Sequence, residues 1–293
     1  MARPLVHVAG KRHYIQGGII MVVQHNMQAI NTNRMLGQNV KAVAKATEKL
    51  SSGYQVNRAA DDAAGLSISE KMRNQIRGLN QSVKNAEDGV SLIQTAEGNM
   101  NEIHSILQRM GELATKAAND VNDADDRTTI NDEMQELIDE IDSIASKAEF
   151  NGTKLLNGEM EGSSAKYLQV GAKSGENMKI EISTMTASAL GVKSVAISKH
   201  SAASAAMSAI TEAIKEVSKS RSKLGAKQNR LEYTINNLEN YSENLTSAES
   251  TIRDTNMATE MTNYTKNNIL QQAAQSMLAQ ANQSTQGVLS LLQ

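Results

Sequence analysis

Cysteine and tryptophan are absent from this 293-residue chain, phenylalanine occurs once, and the single proline is Pro4. Without cysteine there is no thiolate chemistry, disulfide scaffold or cysteine-based zinc site. With 2% aromatics, few bulky side chains are on hand to fill a thick globular core. Almost nothing interrupts a helix after residue 20, so a long, thin, mainly helical architecture fits the composition. The net charge of −2 gives no basic field for phosphate backbones, and stacking platforms are missing, which excludes a nucleic-acid binder. Mean hydropathy is −0.42 and no 18-residue uncharged apolar run occurs, which argues against a membrane span. The histidines His7, His13, His25, His104 and His200 are scattered. There is no H-E-x-x-H, phosphate-cradling glycine loop or nucleophile elbow, so the residues point to no catalytic, cofactor or metal site.

Residues 1–20 differ in composition from everything after them and carry Arg3, Lys11, Arg12 and the proline. Gln16-Gly17-Gly18 can be encoded by a purine-rich stretch shortly before Met21, so the segment reads as a translated ribosome-binding site with the native start at Met21. Removing its three cations would shift the charge from −2 to −5.

Every seventh residue from Met72 to Ala114 is small or apolar, with Ile76, Val83 and Val90 between. That spacing predicts one amphipathic helix over about 66–118, about 80 Å long. Ile130, Met134, Leu137, Ile141, Ile144 and Ala148 predict a second helix, opened by Asp123, Asp125 and Asp126, where carboxylates suit the helix dipole. A third series runs Ile210, Val217, Leu224, Leu231, Leu238, Leu245 and Ile252. Together these predict a long antiparallel, coiled-coil-like rod of helices. Between Phe150 and Val195 lie six glycines, with Asn151-Gly152 and Asn157-Gly158 as turn signals. There Leu168 and Val170, then Met178, Ile180 and Ile182, alternate with polar residues as a small β-hairpin region. Arg58 and Ala63-Ala64-Gly65 read as a close-packed helix turn, in which Asp61 and Asp62 diverge by about 100° and so do not make a paired-carboxylate site.

The two ends carry the functional signal. From Asn267 to Gln293 no residue is charged, and Leu270, Ala274, Met277, Ala281, Val288 and Leu291, thickened by Leu289 and Leu292, keep four-three spacing. Leu36, Val40, Val43, Thr47 and Leu50 repeat it near the other end. Such helices pair with each other, yet one mate does not cover all their apolar surface; the remaining large gain is burial against further copies, at about 25 cal/mol per Å². This predicts a polymer. The bland alternative is a frayed coiled-coil end.

Three stretches, VVQHNMQAINTNR from Val22, LSSGYQVNRAADDAAGLSISEKMR from Leu50 and ATEMTNYTKNNILQQAAQSMLAQANQSTQGVLSLLQ from Ala258, closely resemble bacterial flagellin, and the similarity extends over nearly everything after Met21. The resemblance implies an extracellular subunit of the flagellar filament. Residues 22–62 and 250–293 would form its inner tube, 63–149 and 196–249 a helical rod, and 150–195 a turn region without a large outer domain. It further implies that the subunit interface includes Leu36, Val40, Val43, Leu270, Met277, Val288, Leu289, Leu291 and Leu292. Export would be unfolded, through the filament channel, with no cleaved signal peptide, served by an export chaperone and the flagellar secretion apparatus. Assembly would occur under a cap protein, with hook-junction proteins at the base. A vertebrate Toll-like receptor would read Arg109, Glu112, Leu113 and Glu133, although Gly111 stands where strongly recognised relatives carry arginine. Two other readings stay open: a hook-filament junction protein of the same superfamily, and a signalling coiled coil. The second would place charge at the helix ends, whereas the carboxyl-terminal stretch from Asn267 carries none.

Overall fold

A computed structural model of the chain describes residues 26–119, 121–197 and 199–291, without the side chains of residues 163, 285 and 287–291. The expectation for residues 1–20 lies outside the described residues. Five helices carry the fold: α1 Met27–Ser52, α2 Ala63–Ala117, α3 Ala124–Lys147, α4 His200–Arg253 and α5 Met257–Leu291. Four short strands lie between α3 and α4: β1 Glu149–Phe150, β2 Thr153–Lys154, β3 Lys166–Gln169 and β4 Asn177–Ile180. The described residues divide into two compact units, one of residues 26–62 with 253–291, the other of residues 63–252.

In the larger unit α2 is 55 residues long, about 80 Å, and its buried residues follow a seven-residue repeat. Leu79, Ala86, Ile93, Met100, Leu107 and Ala114 form one row, and Ser82, Gly89, Ala96, Ile103, Met110 and Ala117 the other. The second row differs from the sequence reading, which placed Val83 and Val90 beside the first; these are only half-buried. Small residues replace them because other elements come in close. A Cβ on Gly89 would overlap the Leu168 side chain of β3 and lie 3.4 Å from Leu231 of α4. Gly89→Leu is therefore expected to cost about 1–3 kcal/mol by overpacking, whereas Gly98→Ala, with nothing within 4 Å of its Cβ, gains up to about 1 kcal/mol of helix propensity. Urea unfolding of the two variants gives the comparison.

Side-chain bonds hold α4 antiparallel to α2 in one register along its length. Ser69 donates to Glu249, Ser242 to Asn80 and Arg221 to Glu97, and His200 Nδ1 lies 2.7 Å from the Ala118 carbonyl oxygen. α3 is capped by Asp123, whose side chain accepts from the Ala124 N–H, with Asp125 and Asp126 in its first turn. It buries Ile130, Met134, Ile138, Ile141 and Ala145; Leu137 and Ile144, expected on the stripe, are half-buried. Each loses its place to the next residue along because the buried stripe steps 4-4-3-4, nearer the 3.6-residue turn than to a strict heptad.

The turn region is continuous with this core. Asn151 (φ 48) and Gly152 (φ 74) turn β1 into β2, both in the left-handed region that a type I′ hairpin needs. β3 pairs antiparallel with β4, Leu168 opposite Met178, as the alternation predicts. Leu155, Leu156, Met160, Ile182, Met185 and Val192 are fully buried in the same cluster as Met100, Leu107 and Val217. The Ala187 N–H donates to Asp142 and the Ile197 N–H to Asn131, so two polar side chains of α3 satisfy the irregular backbone that helices and strands leave unpaired.

Candidate assembly surface

The smaller unit is built on the α1–α5 pair. Asn26 caps α1, its side chain accepting from the Ala29 N–H at 3.0 Å and donating to the Ala281 carbonyl at 2.9 Å. At the other end Gly53 (φ 76) closes the helix with its N–H on Lys49 O, a left-handed cap. Beyond it Gln55 N–H donates to Arg253 O at 2.7 Å and Thr255 N–H to Gly53 O at 2.9 Å. The Arg253 guanidinium lies 4.6 Å from the Tyr54 ring centroid, a cation–π contact. The Asn256 side chain then accepts from the Thr259 N–H in the first turn of α5. Both ends of the antiparallel pair are thus pinned by polar contacts.

Little apolar surface is hidden between the pins. Among the described residues of the unit, the buried apolar side chains are Ala46, Val56, Ala274 and Ala281, and none belongs to the main core. Large apolar side chains stand outward instead: Met27, Ile30, Met35 and Val40 on α1, and Met257, Met261, Ile269, Leu270 and Met277 on α5, Met27 being 69% and Met277 61% exposed. Of the interface residues expected from sequence, Leu36 and Val43 are half-buried in the pair, while Val40, Leu270 and Met277 face solvent. Val288, Leu289 and Leu291 lie on α5, and Leu292 lies outside the described residues. Sequence reasoning missed Met27, Ile30, Met35, Met257, Met261 and Ile269, because a four-three stripe selects one face and these lie off it. The available signal was apolar residues on several faces of one helix.

The 53–62 connector corrects the sequence reading of a helix turn. Helix α2 starts only at Ala63, and Asp61 sits in a turn. Its carboxylate accepts from the Asn57 and Arg58 N–H groups at 3.4 and 3.2 Å and pairs with Lys45 at 2.8 Å, while Arg58 pairs with Glu48 at 2.8 Å. The Lys45 hydrogen bond, then the Arg58 N–H, hold the Asp61 pKa below its ordinary 3.8. A carboxyl depressed on folding stabilises the fold above its unfolded pKa and loses that contribution as pH falls through the folded one. We expect the Asp61 carboxyl to titrate below pH 3.8 by NMR, with the 57–61 amides losing protection at that midpoint; Asp61→Asn removes the transition.

On α2, Arg109 Nε and Nη2 donate to Glu133 of α3 at 3.1 and 2.9 Å, and Nη1 to Glu112 at 3.0 Å. All three side chains are largely solvent-exposed, so the cluster contributes little to stability and is a surface feature. Leu113 does not join it. At 3% exposure it packs in the core, one turn along from Met110, and offers a partner no surface.

Among the described residues no helix is long and apolar enough to cross a membrane, and no group of three or more metal-ligating side chains converges.

Comparison with known proteins bears on most of the chain. The profile of the bacterial flagellin N-terminal helical region matches residues 23–161, and that of the C-terminal helical region residues 207–292. A flagellin of Halalkalibacterium halodurans is 52% identical over 274 residues, spanning 93% of this chain and all of that protein. A Bacillus subtilis flagellin is 48% identical over 303 aligned positions, again 93% of this chain and all of the relative. A solved Vibrio parahaemolyticus structure, described as a flagellar hook-associated protein, shares the fold alone: TM-score 0.56, 14% identity, 66% of this chain and 100% of that one.

Proposed function

The chain belongs to the bacterial flagellin family, structural subunits of the flagellar filament and not enzymes, and from that premise we propose that the α1–α5 pair is the surface through which copies assemble. Residues 22–62 and 250–293 line the channel of the polymer, with Leu36, Val40, Val43, Leu270, Met277, Val288, Leu289, Leu291 and Leu292 in contacts between copies. Residues 63–149 with 196–249, and the turn region 150–195, form a separate helical body. The observation that carries this is the pair's composition: alanines at the seam and Met27, Ile30, Ile269 and Met277 in solvent. Each large side chain of that kind gains about 1.5–3 kcal/mol on full burial, and a lattice of copies supplies the cover that one partner helix does not.

Export proceeds through the filament's own channel, served by an export chaperone and the flagellar secretion apparatus, with addition under a cap protein and joining to hook-junction proteins. A chain without cysteine, and without proline after Pro4, has no disulfide or prolyl isomerisation step to slow refolding at the tip. Arg109, Glu112 and Glu133 form the patch that a vertebrate Toll-like receptor reads on free subunits, with Leu113 beneath it as support.

Negative-stain microscopy of the purified protein across a concentration series tests the reading. Tubular polymers are expected above a critical concentration and monomers below it. A protein that stays monodisperse at every concentration contradicts it.

A further inference from the structure

Away from the terminal helices, α4 and the segment after β4 enclose a cleft lined by Glu181, Ser183, Ser220, Lys223, Lys227 and Arg230. The three cations stand at i, i+4 and i+7 of α4 and so share one helix face. Glu181, the carboxylate nearest them, is already engaged: one oxygen is 3.2 Å from Lys179 Nζ, and the other accepts the Gly162 N–H at 3.3 Å. Among the described residues Lys223, Lys227 and Arg230 have no ion-pair partner. Lys227 donates to the Lys179 carbonyl at 3.1 Å. Burial, with the like charges of Lys179, Arg230 and Lys223, holds its pKa below the ordinary lysine value despite Glu181. The cleft therefore carries a surplus of positive charge that is partly withdrawn from water.

Ser220 adds a second, independent sign. Four serines of the fold are buried, and three are satisfied: Ser69 on Glu249, Ser82 on the Gly78 carbonyl and Ser242 on Asn80. Ser220 is 3% exposed and lines the cleft, yet its hydroxyl has no partner among the described residues. The hydroxyl is not one of the fully buried polar atoms left without a partner, so it keeps contact with solvent in the cleft and can donate to an acceptor that also answers three cations.

We propose that this cleft binds a phosphate or sulfate group, Lys223, Lys227 and Arg230 supplying the charge and the Ser220 hydroxyl donating to one of its oxygens. Such a group arrives as the free ion or as the ester of a sugar, and both present the same oxygens. The ligand needs no covalent chemistry and no contribution from the helix ends, so the inference stands apart from the assembly reading.

Calorimetric titration of the full chain, held below its polymerisation concentration and checked by light scattering, tests it. Ionic strength is kept constant with chloride, and the probes are inorganic sulfate and glucose 6-sulfate. Saturable binding of inorganic sulfate to one site is expected. Lys223→Gln with Arg230→Gln, both at solvent-facing positions, should weaken it by about tenfold or more. Ser220→Ala should weaken it several-fold while leaving the unfolding midpoint in chloride unchanged, because the variant loses no hydrogen bond within the fold. A purely structural serine would not move the affinity. Equal binding of the ester identifies a group carried on a larger molecule, and binding of inorganic sulfate alone identifies the free ion. No heat beyond the chloride control, or variants that bind as the parent does, overturns the proposal.

Discussion

Aspartate at both Ile269 and Met277 is expected to abolish polymerisation while leaving the monomer's unfolding free energy within about 0.5 kcal/mol of the parent. Both side chains stand in solvent in the single chain, Ile269 61% exposed, so a carboxylate there disturbs no packing and keeps its water. On the proposed assembly surface the same positions become covered in the polymer. An unpaired charge buried in an interface costs about 3–5 kcal/mol, and each 1.4 kcal/mol is about tenfold in an equilibrium constant, so one such substitution raises the critical concentration by roughly two orders of magnitude or more. Ile269→Val with Met277→Leu keeps the surface apolar and should assemble. Pelleting assays with thermal unfolding of the supernatant monomer separate the two effects. Deleting residues 280–293 should give the same outcome by removing the last turns of the stripe, with the 63–252 unit still folded.

The second large effect lies in that unit. Ile103→Asp is expected to remove its cooperative unfolding transition, since Ile103 has no exposed surface and sits in the main core. An unpaired carboxylate at such a site costs more than about 4 kcal/mol, as much as the whole stability of many domains. Ile103→Val, which removes one methylene, should cost about 0.5–1.5 kcal/mol and retain a sharp transition by circular dichroism. The contrast with Ile269→Asp is the useful part: the same kind of charge unfolds one unit and leaves the other's free state unchanged, because only one of them has a core.

How much of this was legible in the sequence depends on whether a residue declares itself by size. The row Leu79 to Ala114 could be read from its spacing, and the structure buries it. The facing row of Ser82, Gly89 and Ala96 could not, because small residues carry no hydrophobic signal and Val83 and Val90 beside them do. What makes Gly89 the seam residue is Leu168, some eighty positions away, and no local pattern records that approach. The segment 150–195 hid a substantial share of the core for a related reason: Leu155, Leu156, Met160 and Met185 are buried in a backbone with neither period, 2 or 3.6. Asp61 is not legible as a turn residue because Ala63-Ala64-Gly65 is helical and invites the helix to extend backward through it; the carboxylate instead bonds the amides of Asn57 and Arg58 in a turn before the helix. At the candidate surface, the four-three stripe found Leu270 and Met277 but grouped them with the buried Ala274 and Ala281. A stripe shows that a helix has a partner and does not show how much of it one partner covers.

Amide hydrogen exchange on the full chain, as monomer and as polymer, tests the central claim most directly. On the proposed reading α1 and α5 bury too little surface to be stable alone and gain their stability from neighbouring copies. Amides across 27–52 and 257–291 are then expected to exchange within about tenfold of unstructured rates in the monomer and to slow by several orders of magnitude in the polymer, while the middle of α2 is protected in both. Slow exchange of α1 and α5 in the monomer, equal to that of α2 and unchanged on assembly, would contradict it.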